Sequence, residues 1–220
     1  MERTIDSQLD ELKRLILTMG GHVEKALGIA VDSIMSRDPE HFAQVHQIEE
    51  KVNEAHIRVD NMCLNLLAKQ GPVAKDLRLI LSVVKINTDL ERMGDQAVNI
   101  SHTGKDYLSR RPLSGLEDIK RMSEIAGKMV KESLDSFVRG DVEKAKAILV
   151  MDDELDNLKD QVFFHSLQHM KTNSTDVEAC LDLILMARNL ERMGDHATNI
   201  AEDVIFAFTG KDVRHGGRFG

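Results

Sequence analysis

Leu90-Glu91-Arg92-Met93-Gly94-Asp95 and Leu190-Glu191-Arg192-Met193-Gly194-Asp195 are the same six residues written twice, 100 positions apart, and Asn99-Ile100 and Asn199-Ile200 follow at the same offset. On a helix, a Glu and an Asp four residues apart lie on one face, a turn from each other. Like charges at that spacing repel, so an isolated helix does not favour them. A chain that carries the pair twice, in register, is using it, and the usual use is to hold a cation.

Stepping by seven from each Glu gives Leu77, Val84, Glu91, Val98 in the first copy and Val177, Ile184, Glu191, Thr198, Ile205 in the second. Both read as mostly apolar heptad seams with a carboxylate inside. The adjacent rows, Ile80, Asn87, Gly94, Ser101 and Cys180, Ala187, Gly194, Ala201, consist mostly of small residues that let a facing helix come close. A carboxylate in a tightly packed seam has to be neutralised, paired or metal-bound.

Composition agrees with helices. The chain has 220 residues with 11 Met, 3 Pro, no Trp, one Tyr and 4% aromatics, and lacks the β-branched, aromatic-rich runs of strands. Its net charge of −8 argues against nucleic-acid or anionic-membrane binding and favours protein partners. Cys63 and Cys180 sit alone in apolar helical contexts and read as small buried hydrophobes. The start, Met1-Glu2-Arg3-Thr4-Ile5-Asp6, has no apolar signal region, and no uncharged run approaches the ~18 residues of a membrane helix. The expected location is therefore the cytoplasm.

Breakers divide the chain into six long helices, about 3–36, 38–69, 72–109, 113–139, 141–171 and 175–209. Asp38-Pro39 reads as an N-cap with Pro at the first helical position, Gly71-Pro72 as a stop and restart, and Arg111-Pro112 as the joint between halves. Thr18-Met19-Gly20-Gly21 interrupts the first pattern as a kink or close packing point, and the tail from Gly210 is expected to fray. Ala30 to Ser33 matches Ser133 to Ser136, and Asp38 to Ala43 matches Asp141 to Lys146, at an offset of 103. The expectation is an all-α protein of two tandem, similar antiparallel three-helix bundles, residues 1–110 and 111–220.

The second helix of each half carries a related pair. Asp152 and Asp156 stand four apart in the second copy, Glu49 and Asn53 in the first, with Asp60 further on. If the second and third helices of a bundle are neighbours, these groups face Glu191 and Asp195, and Glu91 and Asp95. Such oxygen ligands suit Fe(III), Mn²⁺, Mg²⁺ or Ca²⁺, and Zn²⁺ is also compatible. Two unscreened carboxylates ~6 Å apart repel by ~3 kcal/mol at an effective dielectric near 20, a penalty that a cation removes. The plainer alternative has Arg92 and Arg192 bending back to pair with the acids. A carboxylate-bridged metal enzyme or metal store is a second functional reading. It is weakened because Gly94 and Gly194 stand where Glu-x-x-His would need an imidazole. His102 and His196 lie near the acids and read as ordinary surface or core residues. No phosphate loop, nucleophile elbow or HExxH motif argues for catalysis.

The doubled Leu-Glu-Arg-Met-Gly-Asp with Asn-Ile behind it resembles the PhoU family of accessory regulators of bacterial phosphate-specific transport. Met19-Gly20-Gly21 with Val23-Glu24, Pro72 with Asp76-Leu77-Arg78-Leu79, and Lys211 to His215 extend the resemblance over the whole chain. It implies two three-helix bundles, a cytoplasmic and often dimeric protein, and no enzyme activity. It implies dampening of the phosphate-starvation response through contact with the ATPase-driven phosphate ABC transporter, at the inner membrane, and with the sensor histidine kinase. It also implies metal binding, with iron the first expectation, at paired E/DxxxD motifs. Those fall on Glu91 and Asp95, Glu191 and Asp195, Asp152 and Asp156, and on Glu49. Asn53 stands where the pattern wants Asp, so the second-repeat site is expected to be the better one.

Overall fold

The computed structural model describes residues 4–213; residues 1–3 and 214–220, including Arg214 and His215 of the tail, lie outside the described residues. Six α-helices account for the fold: α1 Thr4–Ser36, α2 Phe42–Gln70, α3 Ala74–Leu108, α4 Leu116–Arg139, α5 Val142–Thr172 and α6 Val177–Thr209. Among the described residues there is no strand. Short 3-10 turns at Pro39–His41 and Ser174–Asp176 precede α2 and α6. Asp38 does act as a cap, its carboxylate accepting from the Glu40 backbone N–H at 3.0 Å. The cap opens the 3-10 turn rather than α2 itself, so α2 begins at Phe42 and is 29 residues long.

The duplication reaches the turns. After α4, Gly140 takes the left-handed conformation (φ 67°), and the Asp141 N–H returns to the Ser136 carbonyl at 2.9 Å. At the matching place after α1, Arg37 is left-handed (φ 56°), with the Asp38 N–H on the Ser33 carbonyl at 3.0 Å. A side chain in that conformation costs ~1 kcal/mol. Arg37 Nη2 offsets this by donating to the carbonyls of Leu108 (2.7 Å) and Arg110 (2.8 Å), where it meets the negative end of α3.

α1, α2 and α3 pack on one another, as do α4, α5 and α6, and the largest single interface joins α3 to α6. α1 also packs on α4, so these four helices form the middle of the molecule with α2 and α5 on the outside. The apolar core runs without a break through both halves. α1 shows how the sequence builds it: Leu9, Leu12, Ile16, Met19, Val23, Ala26, Ala30 and Ile34 recur at helical spacing and are all buried. Gly20 is a close packing point: α1 continues through it, and a Cβ there would collide with Leu134 of α4.

Polar groups cross the α3–α6 interface and set its antiparallel register. His196 Nδ1 meets Asp89 Oδ1 at 2.8 Å, Asn199 Nδ2 donates to the same oxygen at 3.3 Å, and Lys85 Nζ meets Asp203 Oδ1 at 3.0 Å. His196 is thus a paired core residue. Cys63 and Cys180 are buried and free, and burial pushes the Cys63 thiol up to about 12. After α6, Gly210, Lys211 and Asp212 are exposed and Val213 is buried. No helix among the described residues is long and apolar enough to cross a membrane.

Candidate metal centre

The two small-residue rows do what their composition predicts. Gly94 and Gly194 are buried, and a Cβ on Gly94 would stand 3.2 Å from Val52 of α2. A Cβ on Gly194 would collide with Leu155 of α5 and stand 3.2 Å from Asp152 Oδ1. α2 therefore runs against α3, and α5 against α6, at the glycine inside each doubled motif. In the second repeat this close approach brings Asp152 of α5 within electrostatic reach of Glu191 and Asp195 of α6.

The heptad rows through the glutamates are not core seams. Leu77 is exposed, Val84, Glu91, Val98, Val177, Ile184, Glu191 and Thr198 are half-buried, and of the two rows only Ile205 is buried. The core stripe lies one position away, at Leu90, Met93 and Ala97 and at Leu190, Met193 and Ala197. Glu91 and Glu191 hence sit on the rim of the groove between helices, while Asp95 and Asp195 are exposed. A rim position lets an ion arrive from solvent, which a sealed seam would not.

In the second repeat, Glu191 and Asp195 on α6 lie within electrostatic reach of Asp152 on α5, and Asp156 within reach of Asp195. Burial, then repulsion from Asp195, Asp156, Glu191 and Asp153, raises the Asp152 carboxyl from 3.8 to about 6. Asp195, although exposed as a residue, is raised as well by lost solvation and by Asp156, against the pull of His196, Lys159 and Arg192. The cation that enters this group is Lys159 of α5, which the sequence reading did not single out. Its Nζ lies 3.1 Å from Asp156 Oδ1, 3.3 Å from Glu191 Oε1 and 3.5 Å from Asp160 Oδ1. Burial works against its charge, but the hydrogen bonds to Asp156 and Glu191 outweigh it and raise its pKa. Lys159 stands three residues after Asp156 on the same face of α5, which is the signal that could have found it.

The first repeat is poorer in charge. Asn53 Nδ2 donates to Glu49 Oε1, so the amide occupies an oxygen that Asp would have left to a cation. Asp60 does not join Glu91 and Asp95. It accepts from Asn87 Nδ2 at 2.9 Å and faces His56 Nε2 at 3.3 Å. As the side chains stand, no three His, Cys, Asp or Glu among the described residues are gathered tightly enough to hold a metal ion.

The PhoU domain model matches residues 16–103 and 119–204, one match in each repeat. The chain belongs to the PhoU family. The phosphate-specific transport system accessory protein PhoU homolog of Pseudomonas aeruginosa is 33% identical over 216 residues, covering 98% of this chain and 89% of that one. The crystal structure of PhoU from Pseudomonas aeruginosa superposes with a TM-score of 0.91 at 32% identity, covering 94% of this chain and all of that one. The phosphate transport system regulatory protein PhoU of Streptococcus pneumoniae gives 0.87 at 25% identity, covering 94% and 98%. These are two-bundle helical proteins of a family named for accessory and regulatory work, not for catalysis.

Proposed function

We propose that this PhoU-family chain is a negative regulator of the phosphate-starvation response and a modulator of phosphate uptake. It serves the phosphate transport system as an adaptor between the ATPase subunit of the ABC transporter and the phosphate-sensing histidine kinase. It works in the cytoplasm, peripheral to the inner membrane through these partners, as a homodimer. The observation that carries the reading is the doubled acidic rim on tandem bundles in a chain that matches PhoU proteins over nearly its whole length.

The acidic rims are the switchable part of those faces. Asp152, Asp156, Glu191 and Asp195 supply only carboxylate oxygens, the donor set of a hard cation or a small iron cluster. Burial first, and then the neighbouring carboxylates, raise Asp152, and a cation at the group would offset both. Lys159 is the competitor: its single charge bridges Asp156 and Glu191 until an ion of higher charge displaces it. Iron is the first expected ion, with Mn²⁺, Mg²⁺, Ca²⁺ and Zn²⁺ also compatible with the donor set. Glu49, Asn53, Glu91 and Asp95 form the weaker first-repeat counterpart.

Two measurements test the reading. Purified chain should capture the transporter's ATPase subunit and the kinase's cytoplasmic portion, and capture of neither would sink the adaptor. Metal content by mass spectrometry should fall in Glu191→Ala/Asp195→Ala. Equal content in wild type and variant would remove the metal from the account and leave the adaptor standing.

A further inference from the structure

The imidazoles of His46 on α2 and His102 on α3 meet across the groove of the first repeat. Their ring centroids are 4.9 Å apart and their planes are inclined at 66°. Both residues are exposed, so an ion can reach them. Two imidazoles on one metal, with metal–nitrogen bonds of about 2.0–2.1 Å at angles between square and tetrahedral, bring their centroids to about 4.5–5.2 Å. The observed spacing lies inside that window; the rings now pack edge to face, so each would turn about its side-chain torsions to present a nitrogen to one ion.

We propose that His46 and His102 form a two-imidazole site for a divalent transition ion of borderline softness, namely Zn²⁺, Ni²⁺ or Cu²⁺, with solvent completing the coordination. The site is separate from the carboxylate rims. Imidazole nitrogen favours these ions, whereas an all-oxygen set favours hard ones. Glu49 lies three residues after His46 on the same face of α2, with its Oε1 engaged by Asn53, so the first-repeat acid is already committed next to the site. The duplication isolates the feature further. The positions matching His46 and His102 in the second repeat are Leu149 and Glu202, and neither can supply a nitrogen. The two repeats thus select different ions: carboxylates and a hard cation in the second, an imidazole pair and a borderline cation in the first. A bound ion would pin α2 to α3 on one bundle only.

The inference does not depend on the acidic-rim reading, and one experiment separates them. The full metal-stripped chain is titrated with Zn²⁺, and with Cu²⁺ for electron paramagnetic resonance, beside His46→Gln, His102→Gln and Glu91→Ala/Asp95→Ala. The expected result is at least a tenfold loss of Zn²⁺ affinity in either Gln variant, with the metal-free melting temperature unchanged and affinity retained in the acid variant. The wild-type Cu²⁺ spectrum should show coupling to two nitrogens. Zn²⁺ affinity within twofold of wild type in either Gln variant overturns the proposal. So does a loss confined to the acid variant, or a Cu²⁺ spectrum without coupling to two nitrogens.

Discussion

Asp152→Asn should stabilise the metal-free protein at neutral pH and should stop doing so in acid. The Asp152 carboxyl rises from 3.8 to about 6 in the folded state, chiefly through burial and then through Asp195, Asp156 and Glu191. At ~1.4 kcal/mol per unit, that shift corresponds to ~3 kcal/mol of penalty on the charged form. The group is only half-buried, and solvent screening reduces the net to ~1–2 kcal/mol. The sign follows from linkage. A carboxyl raised on folding costs stability wherever it is ionised in both states, so wild type carries the penalty above pH ~6, and it fades between about 6 and 3.8 as the folded form takes up a proton. Asn carries no charge and escapes the penalty at every pH. For a chain of this size ~1–2 kcal/mol is about 2–8 °C in melting temperature. The assay is thermal unfolding by circular dichroism in chelator at pH 7.5, 5.5 and 4.5, with the gap largest at 7.5 and shrinking downward. Added Fe or Mn should reverse the order, because wild type keeps a carboxylate ligand that the amide replaces with a weaker one. A variant equal to or less stable than wild type in chelator at pH 7.5 would refute the penalty ascribed to burial and to the neighbouring carboxylates.

Three further outcomes follow from the same geometry. Gly194→Leu should cost ~1–3 kcal/mol or more by driving into Leu155 and Asp152, whereas Gly21→Ala, where a Cβ meets nothing within 4 Å, should gain up to ~1 kcal/mol of helix propensity, both read by denaturant unfolding. Asp89→Ala should cost ~1–3 kcal/mol by stripping His196 and Asn199 of their shared acceptor between the bundles, and a loss below about 0.5 kcal/mol, on the scale of an exposed pair, would show that these bonds do not hold the interface. Lys159→Met should raise affinity for a hard divalent ion in the second repeat by removing the competing ammonium, measured by calorimetry, and weaker binding would make Lys159 a helper instead.

Much of this molecule can be read from its residues. The six helices, the duplication and the close approach at Gly94 and Gly194 all follow from spacing and residue size, because helical period and the absence of a side chain are local facts. The errors arise where a third body decides. A step of seven from Glu91 or Glu191 picks out a line along the helix, but burial of that line depends on where the neighbours lie, and the core stripe is one position over. Asp38-Pro39 is a true cap, but the element behind it is a 3-10 turn and not α2. Lys159 is visible three residues after Asp156, yet its partnership with Glu191 needs the α5–α6 register. The meeting of His46 with His102 likewise depends on how α2 slides along α3, and no periodicity within either helix encodes it.

The most direct test of the central claim is a phosphate-starvation reporter, such as alkaline phosphatase, in a strain that lacks this chain and grows in phosphate-rich medium. The account predicts high reporter expression that falls when the wild-type gene is returned and stays high when Glu191→Ala/Asp195→Ala is returned instead. Low expression in the deletion strain, unchanged by either gene, would contradict it.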